Sequence, residues 1–149
     1  MEVTKRVLFL CTGNYYRSRF AEIFFNWHAR QRGMAWQAAS RGLMLVKENV
    51  GPLSCHTTAR LTALGISFDE HLRLPQAAAR DDFETAQLIV AVKRAEHHPL
   101  LESQFPQWLP RVEFWDIHDV DCANASEAMP ELEAHVLRLL DRLVHEAAA

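Results

Sequence analysis

The stretch VLFLCTGNYYRSRFAE, residues 7–22, decides how the chain folds. Val7, Leu8, Phe9 and Leu10 form an unbroken apolar run, the pattern of a strand covered on both faces. The run stops at Cys11, passes through Gly13 and Asn14, and reaches Arg17 and Ser18. From there Phe20, Ile23, Phe24 and Trp27 recur at helical spacing, Gln31 ends the stripe and Gly33 supplies a stop, so the spacing predicts a helix over 18–32. The unit is strand, short loop, helix, with five residues separating the cysteine from the arginine.

Working outward, residues 6–10, 35–40, 87–92 and 112–117 read as four buried strands. A second helix is predicted over 54–64, closed by Gly65, and a third follows Arg94 and is broken by Pro99. The last, over 129–145, carries Leu132, Val136, Leu139, Leu140, Leu143 and Val144 on one face. Strands that alternate with helices need crossovers, and crossovers make the sheet parallel. The expectation is one α/β domain spanning 1–149, with helices on both faces of a small four-stranded parallel sheet in three layers. Ligands of such sheets bind beyond the carboxyl ends of the strands. Cys11 stands at that place.

Composition narrows the function classes. The chain has 149 residues, 49% of them hydrophobic, enough to bury one core without staples. Its formal charge of -3, with signs mixed along the chain, offers no basic footprint for nucleic acid or an anionic membrane. No apolar run reaches the length of a membrane span, and the short run at 7–11 does not make a signal-peptide core; the expected compartment is the cytoplasm. Cys11, Cys55 and Cys122 are odd in number and widely spaced, which suits neither a disulfide framework nor a zinc site.

The pattern C-x5-R followed by Ser18 carries the chemistry. Five intervening residues let a loop curl round a tetrahedral oxyanion with its backbone N–H groups turned inward as a nest, with Thr12, Gly13, Asn14, Tyr15 and Tyr16 forming its wall. Gly13 and Asn14 are the residues that most readily take a positive φ in such a loop. The following helix N-terminus favours a dianion, and the Arg17 guanidinium can hold two phosphate oxygens. The same field favours the thiolate of Cys11, a nucleophile placed beneath phosphorus, with Ser18 able to hydrogen-bond it.

The segment CTGNYYRSR, residues 11–19, resembles the signature C-x-G-N-x-C-R-S-P of the low-molecular-weight protein tyrosine phosphatases. The likeness extends along most of the chain. AASRGL at 38–43 resembles the family's serine-containing segment after the second strand, TTARLTALGISFDEHLRLP at 57–75 its following helix and turn, and VEFWDIHDVD at 112–121 its acid loop. The resemblance implies a flavodoxin-like fold of the phosphotyrosine phosphatase I type. It also implies a cysteine-dependent phosphomonoesterase, a protein tyrosine phosphatase, working through a phosphocysteine with neither metal nor cofactor. Substrates would be a phosphorylated protein or a small phosphomonoester, with phosphate or another oxyanion in the loop. Cys11 and Arg17 then take the catalytic places, and Asn14, Ser18, Ser40 and His71 match a polar network that supports the loop. In the family a loop aspartate protonates the leaving group; register favours Asp119, with Asp116 as the alternative and Asp121 nearby.

Three departures bear on substrate. Tyr16 replaces the second cysteine of the signature, which removes a neighbouring-thiol disulfide. Arg19 replaces the proline, and Val120, Asp121 and Cys122 follow Asp119 where the family has proline and aromatics. Tyr15, Tyr16 and Arg19 thereby mark where substrate choice lies open. A phosphate-binding module without turnover is one alternative. A thiol-coupled arsenate reductase is another, but it needs a resolving thiol, and 89–101 carries no cysteine. Glu96, His97 and His98 read as surface, because adjacent histidines point apart on a helix. Trp108 and Trp115 read as core or rim packing, and Arg41, Lys93 and Arg94 as surface charges.

Overall fold

A computed structural model describes residues 4–49, 51–117 and 125–148. The strands are β1 (Lys5–Cys11), β2 (Trp36–Gly42), β3 (Leu88–Ala91) and β4 (Val112–Phe114). The helices are α1 (Arg17–Gln31), α2 (Cys55–Ala63), α3 (Arg80–Glu84), α4 (Arg94–Gln104) and α5 (Ala125–Ala148), with 3-10 turns at Asp69–His71 and Pro106–Arg111. The sheet order is β2-β1-β3-β4, and every neighbouring pair is parallel. β1 therefore lies between β2 and β3, which places the loops after β1 and β3 on either side of one crevice at the carboxyl edge.

The apolar run of β1 divides by alternation, as a strand buried on both faces must. Val7, Phe9 and Cys11 point into a cluster with Phe20, Phe24 and Phe25 of α1 and Leu132, Val136 and Leu140 of α5. Leu8 and Leu10 point the other way, onto Phe83 of α3 and Leu101 of α4. Phe9 meets the rings of Phe25 at 6.0 Å and Trp115 at 5.7 Å; truncating so well-filled a side chain costs about 3–5 kcal/mol. Trp108 packs on Phe83 with ring centroids 5.9 Å apart, within the second cluster.

Two expectations need correction. α4 is not broken at Pro99; it runs through it to Gln104. Proline removes one intrahelical donor, but its fixed φ is helical, and the flanking His97 and Leu101 are both fully buried, so packing carries the helix past the gap. β4 stops at Phe114 instead of continuing to 117. Beyond it the chain stays tied to the sheet edge, because Trp115 N–H donates to Ala91 O (2.9 Å) and Ile117 N–H to Val92 O (2.7 Å).

Candidate active site

The loop joining β1 to α1 is held by its carbonyl groups. Cys11 O accepts from Leu43 N–H (2.9 Å), Thr12 O from Met44 N–H (2.9 Å), Tyr15 O from Ser54 N–H (3.0 Å), and Tyr16 O from the Thr57 hydroxyl (3.0 Å). With these carbonyls turned outward onto the segment after β2 and the start of α2, the N–H side of the loop is the inner one, the arrangement of an anion nest. Asn14 makes the turn with φ 50°, in the left-handed region. Gly13, expected to share that role, does not take a positive φ. A Cβ there would stand 2.9 Å from Asn49 Nδ2, the end of a side chain that can move aside. Gly42 is the constrained one, since a Cβ would meet the backbone at Thr12 O at 2.8 Å.

At the floor of the loop, Cys11 is almost wholly buried, and its Sγ lies 2.8 Å from Ser18 Oγ. Arg17 is buried as well: Nη1 donates to Ile117 O (3.0 Å) and Nη2 to Glu96 Oε2 (2.8 Å). Glu96 also accepts from the Thr12 hydroxyl and faces His97 Nε2 at 3.0 Å. His97 Nδ1 accepts the Lys93 N–H (3.1 Å), so the imidazole proton sits on Nε2 and points at Thr12 and Glu96. Burial keeps His97 below its ordinary value and therefore neutral. The hydrogen bond from His97, then those from Thr12 and Arg17, hold the Glu96 carboxyl well below the usual carboxylate range.

Beneath the loop is a second polar assembly. Asn14 Nδ2 donates to Ser18 Oγ (3.1 Å) and Ser40 Oγ (2.9 Å), so these three expected residues form one hydrogen-bonded chain. Arg73 Nη1 donates to Asn14 Oδ1 (2.9 Å), and Arg73 Nη2 donates to Ser40 O (2.9 Å). Glu22 accepts from Ser40, Arg73 and Arg19. His71 joins only at second hand: its Nδ1 is 3.9 Å from Glu22, and its carbonyl accepts from Arg19.

A family model described as low molecular weight phosphotyrosine protein phosphatase matches residues 6–147. The chain belongs to this family. Members are hydrolases acting on phosphomonoesters through a cysteine. Among solved structures, YfkJ from Bacillus subtilis is 25% identical, with a TM-score of 0.83, covering 97% of this chain and 98% of that one. The low molecular weight protein tyrosine phosphatase from T. tengcongensis is also 25% identical, with a TM-score of 0.78 over 93% and 99%. YwlE arginine phosphatase from Geobacillus stearothermophilus shares the fold at 22% identity, with a TM-score of 0.76 over 95% and 94%. No curated protein sequence matches.

Within this phosphatase fold, the expected residues divide. Cys11, Thr12, Gly13, Tyr15, Tyr16 and Arg17 line one cavity of about 790 Å³ at the carboxyl edge of the sheet. Met44, Val46, Pro99 and Leu100 give it an apolar side, while His56 and Asn49 add polar groups. The Tyr16 ring is buried against His56, with centroids 5.8 Å apart. Arg19 is not part of this wall. It is fully buried beneath the loop with Glu22 and His71, so its replacement of proline alters the support of the loop. Asp119, Asp121 and Cys122 lie outside the described residues. Asp116 is exposed and pairs with Lys93 in an antiparallel bridge.

Glu96 and His97 were read as surface, and this reading is overturned. Glu96 lines the cavity and His97 is fully buried. Their signal was position: both follow the end of β3, the strand next to β1, where the crevice opens. Both His97 nitrogens are engaged, so it has no lone pair to offer a metal. Among the described residues no group of three or more His, Cys, Asp or Glu is placed to hold one. No helix among them is long and apolar enough to cross a membrane.

Proposed function

We propose that the chain is a protein tyrosine phosphatase acting through a phosphocysteine on Cys11. The observation that supports this most is the pairing of Cys11 Sγ with Ser18 Oγ at 2.8 Å, at the floor of a loop whose carbonyls are bound from outside and whose arginine is held by Ile117 O and Glu96. Cys11 attacks phosphorus in line and the bond to the leaving oxygen breaks. Arg17 and the loop amides hold the equatorial oxygens, and their placement beforehand is what lowers the barrier. Asp119 protonates the departing phenoxide, then takes a proton from the water that cleaves the S–P bond. Asp116 is the alternative acid. The apolar side formed by Met44, Val46, Pro99 and Leu100, with Tyr15 also lining the cavity, suits an aromatic phosphomonoester.

The test is hydrolysis of p-nitrophenyl phosphate without added metal. The proposal requires turnover that vanadate inhibits and Cys11→Ser abolishes, with a loss of about 10²–10⁴-fold in Asp119→Asn. Loss in Asp116→Asn instead would reassign the acid. Phosphate binding without turnover would make the protein a binding module. A phosphoarginine peptide is the control substrate, because one fold neighbour is an arginine phosphatase; preference for it would overturn the tyrosine assignment while leaving the phosphocysteine in place.

One observation favours a second reading. Cys55 is exposed and lines the same cavity as Cys11, so a second thiol is available to resolve an arsenic adduct, leaving a Cys11–Cys55 disulfide as As(V) becomes As(III). Arsenate reduction coupled to thioredoxin and lost in Cys55→Ser would establish it.

A further inference from the structure

The hydrogen-bond chain beneath the loop has a direction, set by two donors, the Arg73 guanidinium and the Gln76 N–H. A guanidinium has only donors, and a backbone N–H is likewise only a donor. Both converge on one atom of Asn14: Arg73 Nη1 at 2.9 Å and Gln76 N–H at 2.9 Å reach the same Oδ1. That atom must be the carbonyl oxygen, so the amide cannot be flipped, and its two hydrogens are committed to Ser18 Oγ and Ser40 Oγ. Ser18 receives one of them on its oxygen. Its single hydroxyl proton is then left for its other partner, Cys11 Sγ, 2.8 Å away. A Cys–Ser pair could run in either direction; the amide donor already on Ser18 Oγ favours the one in which serine donates to sulfur. Ser40 obeys the same logic, since it accepts from Asn14 and Arg73 and sends its own proton to Glu22.

We propose that Arg73 is a positioning residue that, together with the Gln76 N–H, fixes the polarity of the chain Arg73–Asn14–Ser18–Cys11, holding Ser18 as a hydrogen-bond donor to the nucleophilic sulfur. His71 cannot do this, because its ring reaches Glu22 and not Asn14. Arg73 is held against Glu22 at 3.3 Å and Ser40 O at 2.9 Å, so its fork is fixed on the side away from the amide. The other charged groups packed about the loop, among the described residues, are Arg17, Arg19 and Glu22 of α1, Arg41 of β2 and Glu96 of α4, with neutral His97 beside it. Of these, none is seen to donate to Asn14 among the described residues.

The inference rests on Cys11 being the nucleophile, but its test needs no turnover. Alkylation of Cys11 by iodoacetamide at mildly acidic pH, followed on the Cys11 peptide by mass spectrometry, reports how well the sulfur's negative charge is stabilised. In Arg73→Met the rate at fixed pH is expected to fall about tenfold, the effect of weakening one hydrogen bond to a charged atom, with a matching loss of thiolate absorbance near 240 nm. Arg73→Lys, which keeps a cationic donor, recovers part of the rate and carries the test should the Met variant not fold. In a Ser18→Ala background, where the chain is already cut, Arg73→Met should add no more than about twofold. Unchanged alkylation in folded Arg73→Met, or a full tenfold further loss in the Ser18→Ala background, overturns the proposal. A protein that lacks phosphatase activity but shows this pattern refutes the proposed function and leaves the role of Arg73 standing.

Discussion

The two polar assemblies that hold the loop are built differently. Above it, Thr12, Arg17, Glu96 and His97 meet at the cavity edge, with the carboxylate of Glu96, 30% exposed, at their centre. Below it, Asn14, Ser18 and Ser40 are fully buried, and Glu22 and Arg73 each serve several partners at once. The upper group places the Arg17 guanidinium at the cavity, with Glu96 its partly exposed member. The lower group sets the shape of the loop before any substrate arrives. Removing a member above should therefore cost activity, whereas removing one below should cost both activity and stability.

The largest contrast is expected from Arg17→Lys, which keeps the charge but loses the planar fork; kcat/KM for p-nitrophenyl phosphate should fall about 10²–10³-fold with little change in melting temperature. Asn14→Ala probes the other side. It forces alanine into the left-handed region and leaves Arg73, Ser18 and Ser40 without their common partner, so denaturant unfolding should show a loss of about 2–4 kcal/mol. Equal stability losses in the two variants would remove the distinction between the assemblies. Glu96→Gln is the finer test, since it keeps the shape and removes the charge that anchors Arg17; a loss of about tenfold in kcat/KM is expected.

How much of this was legible follows from sequence distance. The run at 7–11, the loop and the stripe of α1 are local patterns, so strand, nest and helix could be read directly, and Ser40 came with the resemblance. Glu96 and His97 were missed because they reach Thr12 across 84 and 85 residues, a contact created by the pairing of β3 with β1. Arg73 is 59 residues from Asn14 and lies in a segment without periodicity. Arg19 looked like a substrate-facing departure because a helix's first turn is usually exposed, yet it is drawn inward by Glu22. α3 is only five residues long, too short for a helical stripe to declare itself.

The smallest expected effect is on pH dependence, and both assemblies contribute to it. Burial holds His97 above and His71 below the loop under their ordinary value. Between those lowered values and the unfolded value of about 6.5, the unfolded chain binds protons that the folded chain does not, so stability rises with pH there. Stability should be complete above about pH 7.5 and decline as the solution is acidified through the unfolded value, visible as a falling melting temperature between about pH 7.5 and pH 5.5. The decline should be shallower in both His97→Phe and His71→Phe, and more so in the former, whose ring is the more deeply buried. A decline unchanged in both variants would assign the acid sensitivity elsewhere.

The central claim is that the sulfur of Cys11 takes the phosphoryl group, and it can be observed directly. Acid quenching during turnover of an aryl phosphate, followed by peptide mass spectrometry, should place one phosphoryl group on the peptide containing Cys11 and none on that peptide in Cys11→Ala. Steady turnover with no phosphoryl group on Cys11, or hydrolysis that survives in Cys11→Ala, would contradict it.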